Sequence, residues 1–148
     1  MSAARHDKSP AERRNSKSSS SRGALGRKGE DLAAQHLESL GFTIIERNWR
    51  SPQTRHELDL IALDGDTVVF VEVKTARTET FGDPLGWITP RKRAAIVTAA
   101  RAFLAGWHKT GSDFRFDAVA VGPPDAQGQW VVHHVPGAFT WDEAFDPV

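Results

Sequence analysis

The chain has 148 residues, of which 39% are hydrophobic and 26% are charged, a length and composition typical of one globular domain. It contains no cysteine, which excludes disulfides, thiolate metal sites and cysteine nucleophiles. No apolar run approaches the roughly 18 residues that a membrane-spanning helix needs, so we expect no membrane partner.

The net charge of zero hides an uneven distribution along the chain. Residues 1–28 carry eight Lys and Arg against two acidic residues, whereas the remaining 120 residues carry eleven basic against seventeen acidic ones. The first segment therefore has a net charge of +6 and the rest of the chain −6. A basic arm on an acidic body favours a polyanionic partner, with a solubilising tail as the alternative. Arg13-Arg14 would suit a twin-arginine export signal, but no apolar segment follows, so we expect a cytoplasmic protein.

The first helix is predicted at about residues 24–40. Residues 1–22 are rich in Ser and basic residues and predict a disordered tail, which leaves residues 23–148 as a single domain. From Ala24 onward apolar residues recur at helical spacing, and Gly41 stands where a C-terminal cap belongs.

Three strands are predicted next, over residues 42–49, 57–63 and 67–75. Asp64-Gly65-Asp66 separates the second from the third and is a strong hairpin signal. The third strand contains Val68-Val69-Phe70-Val71, which is apolar on both faces and therefore typical of a central strand.

A second helix and two further strands complete the predicted order. After a long loop over residues 76–88, Thr89-Pro90 predicts a helix N-cap followed by proline at the first helical position, with the helix ending near Trp107. Strands are predicted over residues 114–121, where Gly122-Pro123-Pro124 ends the strand, and 130–135. The order α-β-β-β-α-β-β predicts an α/β fold with a central mixed sheet flanked by helices.

The candidate functional residues are carboxylates on the second and third strands. Glu57 and Asp59 precede the hairpin, and Glu72 with Lys74 follow it. Because side chains alternate faces along a strand, we expect Glu57 and Asp59 to point together. If the two strands pair in register around the turn, Asp59 and Glu72 become near-opposite neighbours.

Carboxylates on an otherwise apolar strand are costly to bury unless a cation compensates them. Aspartate and glutamate oxygens are hard ligands suited to Mg²⁺ or Mn²⁺. Lys74 beside such an ion would orient or help deprotonate an attacking water and stabilise transition-state charge. The alternative is a structural ion pair at a strand end.

The ordered series of motifs resembles the D…(D/E)-x-K nuclease superfamily, and more closely the bacterial YraN (UPF0102) family, which resembles archaeal Holliday-junction resolvases. The resemblance covers roughly residues 24–121. The matching segments are Gly26-Arg27-Lys28-Gly29-Glu30 with Ala33, Glu57-Leu58-Asp59-Leu60-Ile61, Phe70-Val71-Glu72-Val73-Lys74-Thr75, Lys92, and Arg115-Phe116-Asp117. The sequence departs from the family pattern at His56, where the family has glycine, and at Ala76, where its arginine is displaced to Arg77.

The resemblance implies a restriction-endonuclease-like core in which Asp59 and Glu72 bind the metal and Lys74 is the catalytic lysine. Glu30 on the first helix would be a further acidic group that meets the metal through water. It also implies a DNA substrate, such as branched or repair intermediates, and a homodimer.

Three basic residues stand in the first turn of the second helix, where the macrodipole disfavours cations. Arg91, Lys92 and Arg93 are therefore candidate phosphate contacts, since helix N-termini bind anions; a solvated charged turn is the alternative. His133 and His134 are adjacent on a strand and face opposite ways, so we expect ordinary strand residues there, and Arg115 with Asp117 to support the sheet.

Two functions remain open at this point. The first is a Mg²⁺- or Mn²⁺-dependent endonuclease that hydrolyses DNA phosphodiester bonds. The second is a non-catalytic nucleic-acid-binding module with a vestigial site, in which the basic arm supplies most of the affinity. A hydrolase of another substrate with paired carboxylates is less favoured, because a lysine two residues from the acid suits phosphate.

Overall fold

A computed structural model describes residues 10–76, 84–107 and 113–141, with side chains from residue 23 onward except those of residues 84 and 85. The elements in chain order are α1 (Pro10–Ser39), β1 (Thr43–Arg50), β2 (Glu57–Asp64), β3 (Thr67–Thr75), α2 (Pro84–Trp87), α3 (Pro90–Ala105), β4 (Phe114–Pro124) and β5 (Trp130–Phe139). The predicted order α-β-β-β-α-β-β is confirmed, and the short helix α2 lies within the predicted loop.

The described strands form one mixed sheet with the order β1-β2-β3-β4-β5. β1 pairs antiparallel with β2, β2 with β3, and β4 with β5, whereas β3 and β4 are parallel. A parallel pair needs a long crossover connection, and α3 lies within that connection. This is the mixed, helix-flanked sheet of a restriction-endonuclease-like core.

Each face of the sheet carries its own hydrophobic core. On one face, α3 packs on β3 and β4 through a cluster that includes Val97, Phe103, Phe70 and Phe116. On the other face, α1 packs through Ala33 and Leu37 among others. β3 is buried between the two clusters over five consecutive residues, which confirms the predicted central strand.

Helix α1 ends as predicted and begins earlier than predicted. Gly41 has a φ of 93°, and Phe42 N–H donates to the Leu37 carbonyl at 3.0 Å, a Schellman cap that needs the left-handed conformation glycine adopts freely. The helix begins at Pro10 rather than near residue 24. Residues 10–22 thus have helical backbone where composition predicts disorder, residues 1–9 lie outside the described residues, and the predicted boundary at residue 22 stays a prediction.

The last two strands are longer than predicted. β4 continues through Gly122-Pro123-Pro124 with a register shift between Val121 and Pro124, because proline has no N–H to donate and the ladder resumes one step later. β5 continues to Phe139 past Gly137, whose φ is 59°. The hairpin and the Thr89 N-cap are as predicted: Gly65 has a φ of 59°, and Thr89 Oγ1 accepts from Lys92 N at 3.2 Å.

None of the helices in the described part of the chain is both long and apolar enough to cross a membrane.

Candidate active site

The site lies where the β2–β3 ladder stops. The two strands pair regularly from the hairpin, Asp64 opposite Thr67, as far as Leu60 opposite Val71. At the next position a side chain replaces the ladder, since Asp59 Oδ2 accepts a hydrogen bond from Val73 N at 2.8 Å. Asp59 therefore uses its carboxylate to satisfy the backbone donor that its strand no longer reaches.

The alternation of faces along β2 changes at the same place. Leu60 packs in the α1 core, whereas Leu58 packs with Ile61 in the α3 core, although strict alternation would place Leu58 with Leu60. Strict alternation is therefore interrupted next to Asp59, and the expectation that Glu57 and Asp59 point together stays a prediction. Glu57 bonds to its cross-strand neighbour Arg50 on β1, with Arg50 Nη2 3.1 Å from Glu57 Oε2.

Asp59 and Glu72 are in contact, as the hairpin register predicts. Their carboxyl groups share a hydrogen bond, and burial together with the charge of Glu72 raises the pKa of Asp59 to about 7. The hydrogen bond from Val73 and the charge of Lys92 oppose that rise. Glu72 is only 6% exposed. Burial and the neighbouring Glu72 therefore disfavour the charged form of Asp59.

The cation that contacts this pair is Lys92, from the first turn of α3. Its Nζ lies 2.6 Å from Glu72 Oε1. Burial lowers the pKa of Lys92, but the hydrogen bond and charge of Glu72, with the charge of Asp59, outweigh it and raise that pKa. The ammonium group therefore stands where a hard cation would meet Glu72.

Glu30 reaches the same end of the sheet from α1. Burial and the charges of Asp59 and Glu57 raise its pKa, opposed by a hydrogen bond with Asn48 and by the charge of Arg47. Asn48 has a φ of 51°, a left-handed conformation that asparagine tolerates better than most residues. Glu30 is thus close enough to Asp59 to feel its charge and is held by a residue of β1.

The remaining predicted residues lie around this cluster. Lys74 is exposed and makes no ion pair with another described residue; its catalytic role stays a prediction. Arg91 is exposed, and Arg93 is half-buried with an Nε that has no hydrogen-bond partner among the described residues. Of the three candidate phosphate contacts, Lys92 alone is shown bound to a site carboxylate. Arg77 lies outside the described residues.

Comparison with known proteins assigns the sequence to a family. A profile described as "Uncharacterised protein family UPF0102" matches residues 29–121, a segment that contains every carboxylate of the site. The chain belongs to the UPF0102 family. A UPF0102 protein of Acidothermus cellulolyticus is 45% identical over 130 residues, covering 81% of this chain and 96% of that protein.

Two further relatives show the same match. A UPF0102 protein of Prosthecochloris aestuarii is 48% identical over 97 residues, which are 66% of this chain and 75% of that protein. A UPF0102 protein of Geobacter sulfurreducens is 44% identical over 117 residues, which are 78% of this chain and 88% of that protein. Because the family is described as uncharacterised, the activity of the chain has to be inferred from the site itself.

The donor set of this UPF0102 protein suits a hard divalent ion. Asp59 and Glu72 supply carboxylate oxygens in mutual contact, and Glu30 adds a third carboxylate close enough to Asp59 for the charge of Asp59 to raise its pKa. Among the described residues no group of three or more His, Asp or Glu side chains is already arranged as a complete metal site. The two-carboxylate centre with an outer acid fits an ion that keeps several waters, as Mg²⁺ does.

A second polar cluster, on the α1 face, is structural. Asp117 is fully buried and accepts from Arg115 Nε at 2.9 Å and Gly137 N at 3.0 Å, and lies 2.8 Å from His134 Nε2. Burial opposes ionisation, but the hydrogen bonds from His134 and Arg115 prevail and lower the pKa of Asp117. Arg115 also bonds to Asp64 at 2.8 Å. Arg115 and Asp117 thus support each other and the sheet, as the sequence predicts.

Sequence reasoning missed the residues that position the site. Asn48 on β1 carries no motif, and nothing in the local sequence relates it to Glu30. Lys92 is a predicted phosphate contact, whereas the structure bonds it to Glu72. The signal that could have indicated this was that Glu72, an acid on an apolar strand, needs a compensating cation.

Proposed function

We propose that this UPF0102 protein is a metal-dependent nuclease that hydrolyses DNA phosphodiester bonds with Mg²⁺ or Mn²⁺ held by Asp59 and Glu72. The observation that carries the proposal is the contact between these two carboxyl groups where the β2–β3 ladder ends, at which the pKa of Asp59 rises to about 7. A divalent ion bound by both groups would relieve the repulsion between their negative charges.

Each residue of the site would have a separate role in this reaction. Val73 N–H holds one oxygen of Asp59 in place, and Lys92 holds Glu72, so both carboxylates are oriented before any ligand arrives. Glu30 would bind the ion through water. A bound divalent ion would supply the positive charge that stabilises the phosphoryl transition state. Lys74, exposed on the strand of Glu72, is free to approach the scissile phosphate and an attacking water.

The substrate class follows from charge and from the family resemblance. Branched or repair intermediates of DNA are the substrates that the similarity to resolvases indicates, and a homodimer would match the two-fold symmetry of a four-way junction. The basic segment of residues 1–28 suits a polyanion. A cytoplasmic location is part of the proposal, in keeping with the sequence prediction.

The decisive experiment is cleavage of labelled single-stranded, duplex and four-way DNA with Mn²⁺ or Mg²⁺. We expect Glu72→Gln and Asp59→Asn to slow cleavage at least about 100-fold, because each removes a charge that holds the ion. Glu46→Gln, an exposed carboxylate on β1, is the matched control and should cleave as wild type does.

Identical products from wild type and Glu72→Gln would remove the nuclease assignment. The non-catalytic alternative would then stand if DNA binding persists without a divalent ion and weakens steeply with salt. Loss of that binding on deletion of residues 1–22 would support the alternative further, since the basic arm would then supply the affinity.

A further inference from the structure

A basic and aromatic surface lies on α1 and the start of β5, at the same end of the sheet as the candidate site. Lys28 Nζ lies 5.6 Å from the centre of the Trp130 ring. Beside it is a depression of about 380 Å³ lined by Ala24, Arg27, Lys28, Asp31, Leu32 and Gln35. We call these residues with Trp130 the α1–β5 surface.

The α1–β5 surface has an excess of positive charge. Arg27 and Lys28 are both exposed, and neither is ion-paired to another described residue. The acid in the depression, Asp31, is already bonded to Arg47 on β1, so its charge does not offset them. The surface therefore offers an anionic partner two cations that have no ion-pair partner within the described part of the chain.

Trp130 supplies a stacking platform on the same surface. One part of its ring packs on the α1 core with Val73 and Val132, while the ring as a whole is half-buried and its outer side is covered by the Lys28 ammonium. A cation over an exposed aromatic ring is weakly held, and stacking of a nucleic-acid base on such a ring is stronger. A base can therefore displace Lys28, which leaves the ammonium for a phosphate.

The α1–β5 surface and the site share one end of the sheet. Thr75, three residues after Glu72, pairs with Val121, and Pro124 beyond it pairs with Trp130. Lys28 precedes Gly29, which lies against Thr75. Lys28 directly precedes the segment matched by the family profile, residues 29–121, and Trp130 follows that segment.

We propose that the α1–β5 surface binds single-stranded DNA flanking the bond to be cleaved, with a base stacked on Trp130 and phosphates on Arg27 and Lys28. This inference rests on the proposed function for the identity of the substrate. Because the surface and the carboxylates share one end of the sheet, a strand bound there would continue toward the site, and unpaired DNA next to a branch is the form that fits.

The test measures binding of a labelled oligothymidylate to the full chain in EDTA, across a salt series, so that cleavage plays no part. We expect Trp130→Ala to weaken binding about tenfold and Trp130→Phe, which keeps an aromatic face, to bind nearly as wild type. Lys28→Glu should weaken binding about tenfold and lower the salt slope.

Arg101→Glu is the matched control. Arg101 lies over another tryptophan, with Cζ 4.8 Å from the centre of the Trp141 ring, at the opposite end of the sheet, and its reversal changes the net charge equally. We expect Arg101→Glu to bind within about twofold of wild type, because Arg101 is not part of the α1–β5 surface. A general effect of net charge on DNA binding would instead weaken both variants alike. Equal weakening by Arg101→Glu and Lys28→Glu would overturn the proposal.

The remaining outcomes are equally decisive. The proposed surface would be overturned if the wild-type protein does not bind the oligonucleotide. It would also be overturned if Lys28→Glu, Trp130→Phe and Trp130→Ala all bind as tightly as wild type. Tighter binding of oligouridylate than oligothymidylate would overturn the assignment to DNA. Should Trp130→Ala fail to fold, Lys28→Glu and its control still decide.

The two proposals fail separately. A wild-type enzyme that cleaves DNA, with Lys28→Glu binding unchanged, leaves the nuclease and removes the surface. If the wild-type protein binds DNA without cleaving it, and Lys28→Glu selectively loses that binding, the surface is supported and the nuclease assignment is removed.

Discussion

Gly29 on α1 lies directly against Thr75 at the end of β3. A Cβ at position 29 would stand 2.0 Å from Thr75 Oγ1 and 3.2 Å from its Cβ, distances at which atoms overlap. Only glycine lets the helix approach the strand this closely. The next residue is Glu30, so this contact sets how near the helix carboxylate comes to Asp59.

Gly29→Ala should therefore destabilise the fold. The added methyl has to push α1 away from β3, an overpacking that typically costs about 1–3 kcal/mol. Urea unfolding measures the loss. Gly26→Ala, one turn earlier, is the matched control, because a Cβ there would meet no atom within 4 Å; it should stabilise by up to about 1 kcal/mol. Equal effects from the two alanines would contradict the close-contact explanation, and Thr75→Ala should partly rescue Gly29→Ala.

The raised pKa of Asp59 predicts a stability that falls with pH in metal-free protein. Because burial beside Glu72 raises that pKa from 3.8 to about 7, the folded state binds more protons than the unfolded chain between these values. The free energy of unfolding should decrease as pH rises through this window and level off above it. Asp59→Asn should remove the decrease and be more stable than wild type at about pH 8, by up to about 4 kcal/mol.

Denaturant unfolding in EDTA across this pH range measures that slope. Asp66→Asn, an exposed acid in the hairpin, should leave it unchanged. Mn²⁺ should raise the unfolding free energy of wild type more at about pH 8 than at about pH 6, because the ion has to displace the proton that Asp59 holds. A stability that rises with pH in the wild type but not in Asp59→Asn would contradict the raised pKa of Asp59.

Lys92→Met should make the protein depend more on a divalent ion. Without the ammonium, Glu72 stays buried with no cation, which should cost about 1–3 kcal/mol, less than a fully buried pair because Lys92 is half-exposed. Thermal unfolding with and without Mn²⁺ measures both states, and Mn²⁺ should stabilise Lys92→Met more than wild type. Arg91→Met, exposed in the same helix turn, is the control; an equal response of both variants to Mn²⁺ would mean that Lys92 does not compete with the ion.

Asp117→Ala should be the most destabilising of these changes. It leaves Arg115, His134 and the Gly137 N–H without their common acceptor, and breaking a buried charged network costs about 3–5 kcal/mol. The lowered pKa of Asp117 means that its stabilisation is present above about pH 4 and is lost as pH falls below that value. Chemical denaturation at about pH 7 and pH 3 would show the difference between Asp117→Ala and wild type shrinking in acid.

The sequence predicted the frame of the molecule well because its signals are local. Gly65 in the hairpin, Gly41 after α1 and Thr89 before α3 each act within a few residues, and the structure confirms all three. The errors arose where a local signal was overridden. Pro123-Pro124 is typical of a strand end, yet β4 stays paired with β5 through a shift in register. The Ser-rich segment before residue 23 is typical of disorder, yet its backbone is helical from Pro10 onward.

The carboxylates of the site could also be found from the sequence, since Asp59 and Glu72 stand on strands joined by a short hairpin whose register brings them together. Their partners could not. Lys92 meets Glu72 from a helix, Asn48 meets Glu30 from β1, and Lys28 covers Trp130 across a gap of about a hundred residues. No spacing rule relates these pairs.

The sequence by itself determined the order of the elements, the central position of β3 and the acids that the hairpin places side by side. All of these follow from hydrophobic periodicity, turn chemistry and the two-residue alternation of strands. The tertiary structure alone decided where that alternation fails at Asp59, how Gly29 brings Glu30 close, and which cation contacts Glu72. The reason is that these contacts depend on how helices pack on the two faces of the sheet, and packing distance is not encoded in any local pattern.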